Sequence, residues 1–248
     1  MANALKGAVT LEPGGPSALF GRLGVSPVYS RLASLDTLDY AERTLWSGSS
    51  QVDIEPRRRL IGEAGRLEEV PDDAYDALLV SHVFEHLANP LGALGEWQRV
   101  VRPGGHLLLV VPHRDGTFDH RRPVTSLEHM REDADLGTGE DDLTHLEEVL
   151  ALHDLERDPG APNREVFEQR CRENPSTRAM HHHVFVSRTV LETCRATGLE
   201  VLLLRPKLPC NIVCLCRVGE GLGDGLDYQG LSRILTRSPF PSDRADSA

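Results

Sequence analysis

The sequence predicts an α/β protein: a doubly wound, mostly parallel sheet with a His- and acid-rich insertion after its fifth strand. Three observations carry this. Residues 74–113, AYDALLVSHVFEHLANPLGALGEWQRVVRPGGHLLLVVPH, read as strand, polar elbow, amphipathic helix, glycine turn and strand. Upstream, GAVTLEPGGPS is an apolar run that closes on an acidic residue and a Gly/Pro turn. Downstream, Ser187–Val218 reads as a helix, a stop at Gly198 and two further strands.

Taken in order, the first strand ends at Glu12, and Pro13, Gly14, Gly15, Pro16 and Ser17 form the turn. Glycine there admits positive φ and lets the backbone approach a ligand, while the amino end of a following helix would present free N–H groups. An ordinary Gly/Pro surface loop is the alternative. SLDTLDYAERTLW offers Asp36 and Asp39 near a second strand end, each also a candidate helix cap. RRR at 57–59 reads as a solvated helix face, and Glu63 and Ala64 precede the fourth strand.

DALLV is short, apolar and bounded by polar residues, as in a parallel strand covered on both faces. It stops at Ser81, so SHVFEH puts His82, Glu85 and His86 at the edge where open α/β sheets bind ligands. Glu85 and His86 have an equally available job in fixing that elbow through hydrogen bonds to buried backbone. Pro90 then opens a helix whose Leu91, Leu94, Trp97, Val100 and Val101 share one face. RPGG ends it, and HLLLVVP is the fifth strand.

The 248 residues fit one domain over 1–217, with 114–186 as an appended lid and 218–248 as a Gly/Ser/Asp-rich tail whose last ten or so residues are expected to be disordered. A net charge of −11 repels a phosphate backbone and argues against a nucleic-acid substrate. No apolar run of membrane-spanning length and no signal-peptide pattern occurs, so a soluble cytoplasmic protein with no membrane partner is expected. Cys171, Cys194, Cys210, Cys214 and Cys216 form no C-x-x-C pair, and Cys214 and Cys216 alternate onto one strand face, the pattern of buried thiols in a reducing compartment.

The motifs SHVFEH and VVRPGGHL resemble the later motifs of class I S-adenosylmethionine-dependent methyltransferases, over residues 8–113 and 187–217. That resemblance implies a Rossmann-like sheet and S-adenosylmethionine as cofactor. It also implies a site built from Glu12, Gly14, Gly15 and Ser17 at the glycine loop, Asp36 or Asp39 at the ribose, Glu63 with Ala64 at the adenine, and Ser81 with His82 beside the fourth strand. Adjacent glycines flanked by prolines depart from the family's usual E-x-G-x-G-x-G; the loop is similar instead to an E-x-G-G-P-S variant.

The insertion and its borders carry His113, His120, His129, His145, His153 and His181–183 among many carboxylates. Two readings compete. In one, histidines supply a general base for a small polar acceptor that must lose a proton, with His113 and His120 leading and His82 and His86 as further candidates. In the other, His113, Asp119, His120, His145, His153 and the triplet His181, His182 and His183 gather around a divalent metal. No H-E-x-x-H spacing marks such a site, and along a strand His182 would face away from His181 and His183. Arg121 and Arg122 are candidates for holding an anionic group. The expected activity is methyl transfer to oxygen or nitrogen of a sugar, nucleoside or secondary metabolite. Metal-dependent non-methylating chemistry, or a non-catalytic partner protein, is the alternative.

Overall fold

The computed structural model describes residues 3–46, 52, 54–219 and 225–246. Seven strands, β1 (Val9–Pro13), β2 (Ser34–Asp39), β3 (Arg58–Ile61), β4 (Tyr75–Ser81), β5 (Val101–Pro112), β6 (Glu200–Lys207) and β7 (Asn211–Arg217), form one sheet in the order β3-β2-β1-β4-β5-β7-β6. β1 to β5 pair in parallel, and β7 runs antiparallel between β5 and β6. The described helices are α1 (Pro90–Val100), α2 (Leu127–Leu136), α3 (Leu146–Leu152), α4 (Arg164–Arg172), α5 (Asn174–Thr177), α6 (Ser187–Ala196), α7 (Tyr228–Thr236) and α8 (Pro241–Ala245). Among the described residues no helix is long and apolar enough to cross a membrane.

Local sequence explains these elements. Asn89 accepts the Gly92 N–H ahead of Pro90, which starts α1 without needing a donor of its own. α1 then buries Ala93, Leu94, Trp97 and Val100 against the sheet. The Trp97 indole N–H donates to the Ala64 carbonyl at 2.8 Å, so the helix also fixes the loop after β3. α6 stops before Gly198, whose φ of 82° suits glycine. One sheet face packs Leu78, Val80, Leu107 and Leu109 against α1 and α6. On the other, Ala77, Leu79, Leu108 and Val110 meet Leu5, Phe20, Val28 and Tyr29.

That second face is closed by turns, which corrects the expectation of a helix after the glycine loop. Two 3-10 turns, Ala18–Phe20 and Tyr29–Arg31, stand there, and Ser17 Oγ caps the first. The RRR run is not a helix face either: Arg58 opens β3, and Arg57 and Arg58 grip Asp36. The last ten or so residues, expected to be disordered, include α8, which places Asp243 wholly inside the protein, and α7 precedes it. Leu231, Leu235 and Phe240 supply the apolar surface that seats it. The insertion holds a small core of its own, Leu146, Val149, Leu150, Phe167, Cys171 and Met180. Cys214 and Cys216 do share a buried face, their sulfurs 3.6 Å apart beside Cys194.

Candidate active site

A cleft of about 1590 Å³ opens over the carboxyl ends of β1, β2 and β4 and runs beneath the insertion. It exceeds the ~300–1,000 Å³ of a pocket for one small ligand, so it has room for two. β1 and β4 are neighbours whose chain connections leave in opposite directions, the switch point at which open α/β sheets form crevices.

Gly14, Gly15 and Ser17 line the floor. Gly14 takes φ 72°, and a Cβ on it would lie 2.6 Å from Val83 Cγ2. A Cβ on Gly15 would lie 2.3 Å from Glu12 Cδ, so only glycine lets the turn fold this tightly over the acid. Glu12 itself is fully buried and lies beneath the cleft rather than among its lining side chains. Its Oε1 accepts the Ser17 N–H at 2.9 Å, and the Tyr29 hydroxyl sits 2.7 Å from Oε2. Burial pushes this carboxyl up to about 8. Ser17 Oγ lies 3.0 Å from Ser81 Oγ, which joins the loop to β4.

The two aspartates of β2 separate cleanly. Asp39, at the strand end, lines the cleft, and its carboxyl is pushed up by burial against the opposing pull of Arg59. Asp36 lies inside the sheet, paired with Arg57 at 2.7 Å, with Arg58 at 2.6 Å and with the Tyr75 hydroxyl at 3.0 Å. Burial alone would raise its carboxyl; the two guanidiniums outweigh that and hold it well below the usual range. Asp36 is thereby removed from the candidate cofactor contacts. Glu63 and Ala64 line the cleft, with Glu63 bound to Arg178 of the insertion at 2.6 Å. The Tyr40 hydroxyl donates to the Thr177 carbonyl at 2.9 Å, so the insertion is fastened over this side.

Across the cleft, His82, Glu85, His86 and His181 converge. His82 has φ 50°, an uncommon backbone state for a non-glycine residue, and its Nε2 meets Asn211 Oδ1 at 3.1 Å. Glu85 is buried, and neither carboxylate oxygen has a hydrogen-bond partner. Its Oε1 stands 3.8 Å from His86 Nε2 and 3.9 Å from His181 Nε2. His86 gives its Nδ1 to the Met180 carbonyl at 3.1 Å, and His181 gives its Nδ1 to Asp119 Oδ2 at 2.5 Å. Both rings therefore carry Nδ1–H and turn Nε2 toward the carboxylate. Burial raises Glu85 and drives His86 well below its ordinary value. For His181 burial acts the same way, but Asp119 outweighs it and the imidazole is raised. Asp119, which burial would raise, is held down at about 2 by His181 and Arg122.

The histidines favoured from sequence lie elsewhere. His113 is fully buried, stacked on Phe240 at 3.9 Å, with Nε2 on Asp243 at 3.1 Å, so it anchors the carboxyl end. His120 pairs with Asp154 at 2.8 Å outside the cleft lining. His153 pairs with Asp158 and stacks on Phe167; His182 meets Asn174. Asp119 serves His181; among the metal candidates His145 and His183 join a group of possible ligands with His129, and His181 joins one with Glu85 and His86. Arg122 is no anion receptor: it is buried on Asp119, Glu148 and the carbonyls of His181 and His182. Sequence reasoning named His181 but favoured His113 and His120 as the base, because the partner that orients His181, Asp119, lies 62 residues away.

Sheet order, the single antiparallel strand and the glycine floor at the switch point define the Rossmann-like methyltransferase fold. Residues 23–109 match the family model described as "Methyltransferase domain". The match covers neither the glycine loop nor the insertion. Similar solved structures include the 1,6-didemethyltoxoflavin-N1-methyltransferase of Burkholderia thailandensis, at 13% identity over 88% of this chain and 76% of that one, TM-score 0.49. They also include an S-adenosylmethionine-dependent methyltransferase of Mesorhizobium loti, at 12% identity over 86% and 92%, TM-score 0.49. At these identities and scores no functional statement follows from the likeness. No curated protein sequence matches the chain.

Proposed function

We propose that the chain transfers a methyl group to oxygen or nitrogen of a small polar molecule, a sugar, nucleoside or secondary metabolite, with the cofactor lying on the glycine floor and the acceptor beside Glu85, His86 and His181. The observation that carries this is the continuity of one cleft from Gly14 and Asp39 to His181. S-adenosylmethionine supplies an electrophilic methyl group on a sulfonium. In this reading Gly14, Gly15 and Ser17 face its amino-acid portion, Asp39 accepts from the ribose hydroxyls, and Ala64 with Glu63 borders the adenine, as the class resemblance implies. The residues fit such a group: the floor is closed to any Cβ, and a polar rim surrounds a volume sufficient for two molecules.

His181 is the residue we assign to the acceptor proton. Its Nδ1–H is held by Asp119, so Nε2 is the atom that receives a proton from an acceptor, as in other Asp-supported imidazoles. The net charge of −11 supports a small acceptor over a nucleic acid. Calorimetric titration with S-adenosylmethionine of the wild type, Asp39→Ala and Glu12→Ala tests the first half. Micromolar binding weakened by Asp39→Ala is expected, and no binding by the wild type overturns the reading. Transfer of labelled methyl to a panel of hydroxyl and amine acceptors tests the second.

A further inference from the structure

Away from the cleft, the structure brings together four side chains from three separate segments. His129 and Asp133 lie one turn apart on α2, His145 immediately precedes α3, and His183 comes from the extended segment leading to α6. His129 Nε2 is 3.0 Å from His145 Nε2 and 3.5 Å from Asp133 Oδ2, and Asp133 Oδ2 is 3.7 Å from His183 Nε2. One nitrogen from each of the three rings lies within 4.8 Å of the other two. Ligands on bonds of about 2.0–2.1 Å around one tetrahedral ion stand roughly 3.3 Å apart, and the His129–His145 and His129–Asp133 separations of 3.0 and 3.5 Å are of that order.

Two of these groups are costly without a cation. Asp133 Oδ1 accepts from the Thr138 hydroxyl, while Oδ2 is buried with no donor. His183 is fully buried; its Nε2–H reaches the Ala88 carbonyl at 3.2 Å, which leaves Nδ1 as a buried lone pair with no partner. A buried carboxylate oxygen and a buried imidazole lone pair, both unpaired and belonging to one cluster with two more imidazoles, are what a metal ion satisfies and a hydrogen-bond network here does not. The Ala88 carbonyl fixes the His183 ring as an outer partner commonly does for a metal-bound imidazole.

We propose that His129, Asp133, His145 and His183 form a closed site for a zinc-type divalent cation that pins α2, the start of α3 and the 181–184 segment together. Three imidazoles and one carboxylate favour zinc or cobalt over magnesium or calcium, which take oxygen ligands. Four protein ligands leave no open position, so the ion is structural. It is separate from the cleft group of Glu85, His86 and His181. Of the residues singled out in the sequence as metal candidates, His145 and His183 belong to it.

The test uses full-length untagged protein. After purification the metal content is measured, and the chelator-stripped protein is titrated with Co²⁺ while the visible bands of tetrahedral cobalt are followed. The expected results are one equivalent of zinc per chain, tight cobalt binding with those bands, and a loss of affinity of more than about 100-fold in Asp133→Asn and in His145→Gln. Glu85→Gln and His120→Gln should retain the bands. Stripping should lower the melting temperature, with recovery on adding Zn²⁺ but not Mg²⁺; this holds the test open if a variant fails to fold. Wild type that binds no stoichiometric metal, binding that survives both Asp133→Asn and His145→Gln, or binding lost in Glu85→Gln overturns the proposal. None of these readouts needs S-adenosylmethionine, so failure of the methyl-transfer reading leaves them intact.

Discussion

Glu12 gives the sharpest physical test, because its carboxyl is expected to keep its proton at neutral pH. The Tyr29 hydroxyl has one proton and two acceptors in reach, Glu12 Oε2 at 2.7 Å and the Ser17 carbonyl at 2.9 Å. If Glu12 is ionised, one of them goes without. If it is protonated, its O–H serves the Tyr29 oxygen, Tyr29 serves Ser17, and the Ser17 N–H serves Oε1, closing the ring. Burial raises the carboxyl from 4.5 to about 8, with the charge on Asp39 adding a smaller push and the Tyr29 and Ser17 contacts opposing. Between those two values the folded chain holds a proton that the unfolded chain has released. Stability from this group is therefore complete below pH 4.5, falls as pH rises, and is gone above 8, a swing of about 5 kcal/mol.

Glu12→Gln mimics the protonated acid in shape and hydrogen bonding but does not titrate. Denaturant unfolding of both proteins from pH 5 to 9 isolates the effect, since the remaining titrating groups largely cancel in the difference. Relative to Glu12→Gln, the wild type should lose several kcal/mol across this range, and its affinity for S-adenosylmethionine should fall with it as the Gly14–Ser17 turn loosens. A stability difference that stays flat within about 1 kcal/mol would refute the reasoning, since the raised carboxyl requires a slope.

Other substitutions separate structure from chemistry. Asp36→Asn should cost roughly 2–4 kcal/mol in unfolding experiments, because it strips two guanidiniums and the Tyr75 hydroxyl of their common acceptor, while cofactor affinity stays the same. Asp39→Asn should do the reverse, weakening cofactor binding in calorimetry with little change in unfolding. His181→Gln should lower kcat about 10²–10⁴-fold with KM for the cofactor unchanged, and Asp119→Asn should lower it less by freeing the ring to turn. His113→Ala should destabilise the fold and make residues 228–245 accessible to protease, with activity per folded molecule retained at permissive temperature.

Local pattern made the sheet legible. DALLV and HLLLVVP are apolar runs with nothing else to do, Pro90 and Asn89 mark a helix start, and Gly198 marks a helix end, so β4, α1 and α6 lie where pattern puts them, while β5 starts earlier, at Val101, and takes in the expected RPGG turn. The same clarity extends to strand-end positions facing the cleft, Asp39, Ser81 and His82. It fails where a side chain's role depends on a partner distant in sequence. Asp36 and Asp39 look alike in SLDTLD, and alternation along β2 does not reveal that Arg57, Arg58 and Tyr75 surround the first. His113 sits at a strand end as a catalytic histidine would, yet Asp243 and Phe240, about 130 residues on, make it an anchor. Polar composition suggested a loose tail because its few apolar residues, Leu231, Leu235 and Phe240, are spaced to seat it rather than to stand out.

The insertion's acidity, which looked like a diffuse metal or solvation signal, is largely spent on internal pairing. Arg122 is the clearest case: one buried guanidinium holds Asp119, Glu148 and two consecutive carbonyls, at His181 and His182. Asp119 in turn orients His181 toward the cleft, so the proposed proton acceptor is positioned by the insertion's own interior rather than by the sheet. Arg178 and Thr177 then tie the same unit to Glu63 and Tyr40 on the cofactor side. A single folded unit thus touches both ends of the cleft, and whatever orders it controls both at once. Fraying of this unit should therefore weaken cofactor binding and proton transfer together, whereas a defect confined to the sheet edge at Asp39 should affect binding alone.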